Sequence, residues 1–158
     1  MEKLASFEID TDISQEECFI YLSNMDNFDN WFPEVIEIVS KNKEPIDVGK
    51  QYLETVKMPL IGYKKITLTV KDFELYSQFS TEGDFAPLLP RMDIYVSNND
   101  NGKTKINWAF YSRNSSKLFK LFVPLFRYVM TKRSNIAAVK LKAVLASNSY
   151  GGTLEQIS

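Results

Sequence analysis

The stretch LFKLFVPLFRYVM occupies residues 118–130 and is apolar around most of a helical circumference. It lies in a segment, residues 115–147, that predicts one long helix whose first half is buried or meets a lipid-like neighbour. From Lys103 to Ala146 the chain has ten Lys and Arg residues and no Asp or Glu. The C-terminal third is thus predicted to be a single helix, apolar at its start and basic along its length.

The rest of the chain is predicted to be mainly β-strands. Residues 6–13 alternate apolar and polar side chains, which is typical of a half-buried strand. Ser14 and Glu17 then have the spacing of a capping box, which starts a helix, and a second short helix around 28–32 ends before Pro33. Turn-forming residues separate six further strands, predicted at 35–43, 50–58, 63–73, 75–82, 91–98 and 103–112.

The composition indicates one domain with few catalytic options. With 158 residues the chain can bury a single core; we assign residues 1–147 to one domain and 148–158 to a flexible polar tail. The chain has no His and only one Cys, Cys18, so His and Cys zinc sites and His-dependent catalytic triads cannot be built. Because phosphate-binding glycine motifs are missing too, we expect neither a metal nor another cofactor.

Charge and hydropathy limit the compartment and the partners. The N-terminus has no signal-peptide pattern, and no apolar run reaches the roughly 20 residues that span a bilayer. A lone cysteine fits a reducing compartment, so we expect a cytoplasmic protein. Residues 1–102 hold nineteen acids and nine bases. Since this part is acidic and no nucleic-acid motif occurs, we expect no nucleic-acid partner; the oligomeric state stays open.

A family resemblance rests on SQEECFIYLS at 14–23, WFPEV at 31–35, PIDVG at 45–49 and VKLKAVL at 139–145. In order and spacing these stretches resemble the START-like superfamily, which includes polyketide cyclase/dehydrase and lipid-transport proteins and Bet v 1-like carriers. The resemblance implies an α+β helix-grip fold: a curved seven-stranded antiparallel sheet wrapped around a long C-terminal helix, in the order β-α-α-β-β-β-β-β-β-α. It also implies an apolar cavity, but not whether the protein is a carrier or an enzyme.

Two predicted turns at one end of the sheet are unusually apolar. They contain Leu60, Ile61, Phe85, Leu88 and Leu89, and apolar loop tips on a surface usually have a function. One interpretation is a lid over an apolar ligand or a weak contact with a membrane. The other is that these side chains pack on each other and on the start of the helix.

Glu54 is a candidate for acid–base chemistry. It is in phase with Tyr52 and Val56 along its predicted strand. If that face points inward, a carboxyl group lies in an apolar cavity and its pKa rises. If Leu53 and Thr55 point inward instead, Glu54 is solvated.

Arg133 is the second charged candidate. At 100° per residue it falls in the helical arc of Phe122 and Phe126. An inward Arg133 could pair with Glu54 or bind an acidic ligand head group. The alternatives are a register shift at Pro124 or a side chain that extends out to solvent.

The expected function is binding or transport of a hydrophobic small molecule or lipid. The first alternative is a polyketide cyclase/dehydratase-type enzyme that acts on an apolar or aromatic substrate, with Glu54 and Arg133 as catalytic candidates. The second is a peripheral membrane or partner-protein adaptor. The predicted ligand-binding residues are Trp31, Tyr52, Glu54, Leu68, Phe79, Tyr95, Trp108, Phe110, Phe119, Phe122, Phe126, Met130 and Arg133.

Overall fold

A computed structural model describes residues 1–58 and 60–147 of the chain. Its seven strands are β1 (Glu2–Thr11), β2 (Val35–Ser40), β3 (Gln51–Met58), β4 (Gly62–Glu74), β5 (Gln78–Gly83), β6 (Pro90–Asn98) and β7 (Thr104–Ser112). Its helices are α1 (Gln15–Ser23), α2 (Phe28–Trp31), α3 (Lys117–Lys120) and α4 (Val123–Ala146), with a 3₁₀ turn at Met25–Asn27. The predicted tail, 148–158, lies outside the described residues.

All seven strands form one antiparallel sheet in the order β1-β7-β6-β5-β4-β3-β2. From β2 to β7 each strand pairs with the next one along the chain, and β1 closes the sheet against β7. The predicted α+β class and strand order are confirmed. The meander forms because alternating apolar residues let each strand cover the core on one face, while short turns favour pairing with the next strand.

Helix α1 begins where the capping pattern places it. The hydroxyl of Ser14 accepts a hydrogen bond from the backbone N–H of Glu17 at 3.2 Å and donates one to the Glu17 carboxylate at 2.6 Å. Both contacts tie the first turn to the residue before it. The cap therefore fixes where the chain leaves β1 and enters the helical layer.

The prediction of one helix over 115–147 is wrong. Helix α3 ends at Lys120, and α4 starts at Val123 with Pro124 in its first turn. Proline has no N–H to donate and its ring clashes with the preceding turn, so it is tolerated only at a helix start. Pro124 therefore divides the segment into a short helix and a 24-residue helix.

Helix α4 packs mainly along β1 and against α2. Its inner face buries Met130, Ser134, Ala137, Leu141 and Leu145. The core between the helices and the concave face of the sheet is rich in aromatic rings, among them Phe7 stacked on Trp108 at 5.1 Å between ring centroids. None of the helices in the described part of the chain has the length and apolar character needed to cross a bilayer.

Candidate functional site: an apolar cavity with a buried carboxyl group

A cavity of about 80 Å³ lies between the concave face of the sheet, α2 and α4; this volume is the space open to the centre of a water molecule. Side chains from α2, from every strand between β2 and β7, and from α4 line it, and most are Met, Phe, Val, Leu, Ile or Pro. The lining residues with polar side chains are Glu34, Glu54, Thr81 and Arg133. The site is therefore an apolar pocket with a small cluster of charged groups.

The structure settles the orientation of Glu54. Its side chain lies on the buried face of β3, and its cross-strand neighbours are Ile38 on β2 and Ile66 on β4. Burial raises the pKa of Glu54 to about 7, although the positive charge of Arg133 opposes this rise. At neutral pH the cavity thus holds a carboxyl group poised between its acid and its ionised form.

Arg133 also lines the cavity, but its ion-pair partner is not Glu54. Its guanidinium pairs with the carboxylate of Glu34, which lies in the link between α2 and β2. The Arg133 Nε is buried and donates to no atom of residues 1–58 and 60–147. Desolvation of the Glu54 carboxyl outweighs the attraction of the Arg133 charge, so the pKa of Glu54 stays high.

Glu34 is a site residue that the sequence analysis missed. Its backbone φ is +69°, in the left-handed region that costs a non-glycine residue roughly 1 kcal/mol or more. The strained residue is held by its ion pair with Arg133 and by an N–H···O bond from Lys57 to its carbonyl at 2.9 Å. Glu34 belongs to the stretch WFPEV, but no local pattern signals the left-handed turn.

The predicted ligand-binding residues lie in several different places. Five of the predicted ligand-binding residues line the cavity: Glu54, Leu68, Phe110, Met130 and Arg133. Trp31, Phe79 and Trp108 are buried in the aromatic core next to the cavity rather than in its wall, and Tyr52 is buried toward the far end of the sheet, near Ile46 and Lys50. Phe119 and Phe126 stack on each other at 5.3 Å between centroids.

The structure corrects the prediction that Tyr95 and Phe122 line the cavity. Tyr95 is 44% exposed and lies on the outer face of β6, whereas Met92 on the inner face lines the cavity. Alternation along the strand puts Tyr95 in phase with Arg91, which faces outward as well. Phe122 is the N-cap residue of α4 and is 51% exposed, because the break at Pro124 turns it away from the core.

On the outer face, Arg91 organises a network of charges. Its guanidinium binds the carboxylates of Asp72, Glu82 and Asp93, the last at 2.8 Å. Glu82 also pairs with Arg113 at 3.2 Å. This network lies outside the cavity and holds β4, β5 and β6 together, which is a structural role.

The two apolar turns differ in where their side chains lie. Phe85 and Leu88, in the loop between β5 and β6, fold inward and line the cavity. Leu89 follows at φ +47°, with its N–H bonded to the Phe85 carbonyl at 2.6 Å. Leu60 and Ile61, in the turn between β3 and β4, are exposed. Phe85 and Leu88 thus pack inward on the protein, whereas the β3–β4 turn with Leu60 and Ile61 is exposed to solvent.

The size of the cavity limits what it can hold. Sites for drug-sized ligands measure roughly 300–1,000 Å³, so 80 Å³ accepts only a small group without further opening. Its four polar side chains can orient a ligand or exchange a proton through Glu54. In the described ranges, no group of three Cys, Asp or Glu side chains is placed to hold a metal ion.

Sequence comparison finds no matching family model and no matching curated protein. Structural comparison finds many solved structures with a similar fold. The protein TTHA0849 of Thermus thermophilus has a TM-score of 0.68 at 9% identity, with 92% of this chain and 98% of that one covered. A Staphylococcus aureus protein of unknown function, SA2116, has a TM-score of 0.67 at 13% identity, with 93% and 96% covered.

A third similar structure has a described role. The di-domain ARO/CYC StfQ of the steffimycin biosynthetic pathway has a TM-score of 0.66 at 10% identity, with 92% of this chain and 51% of that one covered. Identities this low establish the fold alone. The predicted helix-grip architecture, a curved seven-stranded antiparallel sheet with a long C-terminal helix, is confirmed.

Proposed function

We propose that this protein binds a hydrophobic small molecule that carries one polar group, in the cavity between the sheet and α4. The observation that carries the proposal is an apolar pocket with Glu54 and Arg133 in its wall. An apolar body gains free energy from burial, and the side chains of Glu54 and Arg133 can orient its polar group. Similarity to StfQ, an ARO/CYC protein, supports a ligand cavity in this fold.

Micromolar binding of an apolar ligand would require the cavity to open. Micromolar affinity corresponds to about 8 kcal/mol, and burial of roughly 400 Å² of apolar surface yields ~10 kcal/mol before association costs. A ligand of that size does not fit in 80 Å³. Phe85 and Leu88 on the loop, and the pair of Glu34 with Arg133, line the cavity. Outward movement of these groups would enlarge the site.

The proposal is tested with N-phenyl-1-naphthylamine, an uncharged dye that fluoresces in apolar surroundings. Val56→Trp places a large side chain in the cavity wall, and Thr55→Trp places the same side chain on the opposite face of β3. We expect saturable dye binding that weakens at least tenfold in the first variant and stays unchanged in the second. Native mass spectrometry of the purified protein should show a co-purifying apolar mass.

Two results would overturn the proposal. One is the lack of saturable dye binding to the folded wild-type protein. The other is equal binding by wild type and Val56→Trp, with circular dichroism showing that both are folded, because the dye would then bind elsewhere.

Buried Glu54 also favours a second candidate, a cyclase/dehydratase-type enzyme. A carboxyl group with a pKa of about 7 can both accept and donate a proton at neutral pH. Cyclisation of a poly-β-ketone followed by loss of water needs such a group near the substrate carbonyls. We expect Glu54→Gln to retain dye binding and to lose turnover of a poly-β-ketone thioester. Turnover that survives this substitution would exclude Glu54 as the acid–base group.

A further inference from the structure

Five exposed apolar side chains lie at the end of the sheet that carries the β3–β4 turn and the link from β7 to α3. We define the mouth patch as Leu60, Ile61, Leu118, Leu121 and Phe122. Each of these side chains is more than half exposed, and Leu60 is fully exposed at the tip of its turn. Apolar side chains clustered on a surface indicate an interaction site more often than scattered ones do.

The strand order brings the two parts of the mouth patch to the same end of the molecule. In an antiparallel meander, the β3–β4 turn, the β5–β6 loop and the link from β7 to α3 lie at one edge of the sheet. Met58, beside the turn, and Phe110, near the end of β7, line the same cavity. Leu60 and Ile61 on one side and α3 on the other therefore lie at the same end of the sheet as these two lining residues.

Unpaired lysines accompany the mouth patch. Lys57, Lys64 and Lys65 flank the β3–β4 turn, and Lys117 and Lys120 lie on α3. All five are exposed and none forms an ion pair with another residue of 1–58 or 60–147.

The nearby acids are fewer than the lysines, and among them Glu37, opposite Thr55 of β3, is exposed and has no ion-pair partner in the described part of the chain. Glu34 pairs with Arg133, and the Asp84 carboxylate accepts a hydrogen bond from the Thr67 N–H at 2.8 Å. Glu2, at the start of β1, is half-buried. The end of the molecule that carries the mouth patch is thus apolar at its tips and positively charged around them.

We propose that the mouth patch docks on an anionic lipid bilayer. The acyl boundary of a bilayer accepts protruding Leu, Ile and Phe side chains, and its anionic head groups accept lysines at the same depth. A folded protein partner would need a complementary apolar groove with its own acidic rim, whereas one lipid surface satisfies both features. Docking in this orientation places this end of the sheet against the membrane, and it stands whether or not the cavity holds a ligand.

The test is cosedimentation with vesicles of phosphatidylcholine alone and of phosphatidylcholine with about 30% phosphatidylglycerol. We expect binding to the anionic vesicles only, weakened at high salt. Each lysine near the surface contributes about a fivefold change in partitioning, so Lys117→Glu with Lys120→Glu should reduce it at least about 25-fold. Leu118→Ser with Leu121→Ser should reduce it about tenfold or more, because two apolar side chains no longer insert.

Matched controls lie at the opposite end of the sheet. Val48→Ser removes an exposed apolar side chain there, and Lys43→Glu reverses an exposed charge; both should bind vesicles like the wild type. All substituted positions are exposed, and unchanged thermal unfolding confirms folding.

Three outcomes would overturn docking on lipid. They are no binding of the wild type to anionic vesicles, equal losses in control and mouth variants, and a concentration-dependent dimer in sedimentation velocity that Leu118→Ser with Leu121→Ser dissolves. The last outcome would assign the mouth patch to a second copy of the chain. Failure of the dye assay would not change any of these three results, so the ligand-binding proposal and the membrane-docking proposal can fail independently.

Discussion

Replacing Glu54 with Gln should remove a pH-dependent penalty on the folded state. Burial raises the pKa of Glu54 from 4.5 to about 7, so the folded protein holds this proton more tightly than the unfolded chain. At about 1.4 kcal/mol for each pH unit between the two pKa values, the ionised carboxylate costs the fold about 3 kcal/mol. The cost is zero below about pH 4.5, where both states are protonated, grows as the pH rises to about 7, and is constant above.

The measurement is the free energy of unfolding in urea at several pH values between about 4.5 and 8.5. Glutamine has nearly the shape of a protonated glutamate and carries no charge, so we expect Glu54→Gln to match the wild type near pH 4.5. At about pH 8 the variant should be about 3 kcal/mol more stable. Glu37→Gln, which removes an exposed carboxylate from the neighbouring strand β2, should keep the wild-type dependence on pH.

A stability difference between wild type and Glu54→Gln that does not change with pH would contradict this prediction, and so would a variant that is less stable at alkaline pH. The second result would mean that Arg133 stabilises the Glu54 carboxylate more than burial penalises it. Glu34→Gln gives an internal check. Since it releases the Arg133 guanidinium from its ion pair, it should lower the pKa of Glu54 and shrink the difference.

Other substitutions and reagents probe the rest of the structure. A Cβ atom at Gly83 would lie 2.8 Å from Pro90 Cγ, so Gly83→Ala should lose about 1–3 kcal/mol of unfolding free energy in urea. Arg91→Ala leaves three carboxylates without their shared cation and should lose about 2 kcal/mol, less in about 1 M salt, which screens their repulsion. Burial raises the pKa of the Cys18 thiol to about 12, so at about pH 8 Ellman's reagent should modify the protein only as fast as it unfolds.

Much of the fold could be predicted because the signals are local. Alternation along 63–73 and 103–112 marks strands β4 and β7, and the Ser14–Glu17 spacing marks the start of α1. Each depends on neighbouring residues only. The break at Pro124 carried a local signal as well, and the single long helix was wrong because the apolar pattern was given more weight than the missing N–H.

The site was only partly predictable. The outward face of Tyr95 was available from its phase with Arg91 and Asp93, and the prediction overlooked it. Glu34 offered no such signal, because its left-handed backbone and its pair with Arg133 exist only once α4 lies against the α2–β2 link. The orientation of Glu54 depended on which face of β3 the neighbouring strands would cover.

Local patterns in the sequence are enough to predict most strands and helices, their order and the available side-chain chemistry: no histidine, a single cysteine, and a basic, apolar C-terminal third. The packing of distant segments turns Glu54 toward the cavity, pairs Arg133 with Glu34 and leaves a cavity of only about 80 Å³. The difference lies in how far apart along the chain the interacting residues are. Periodicity and capping act over a few residues, whereas desolvation and ion pairing depend on which distant segments exclude water from the same point.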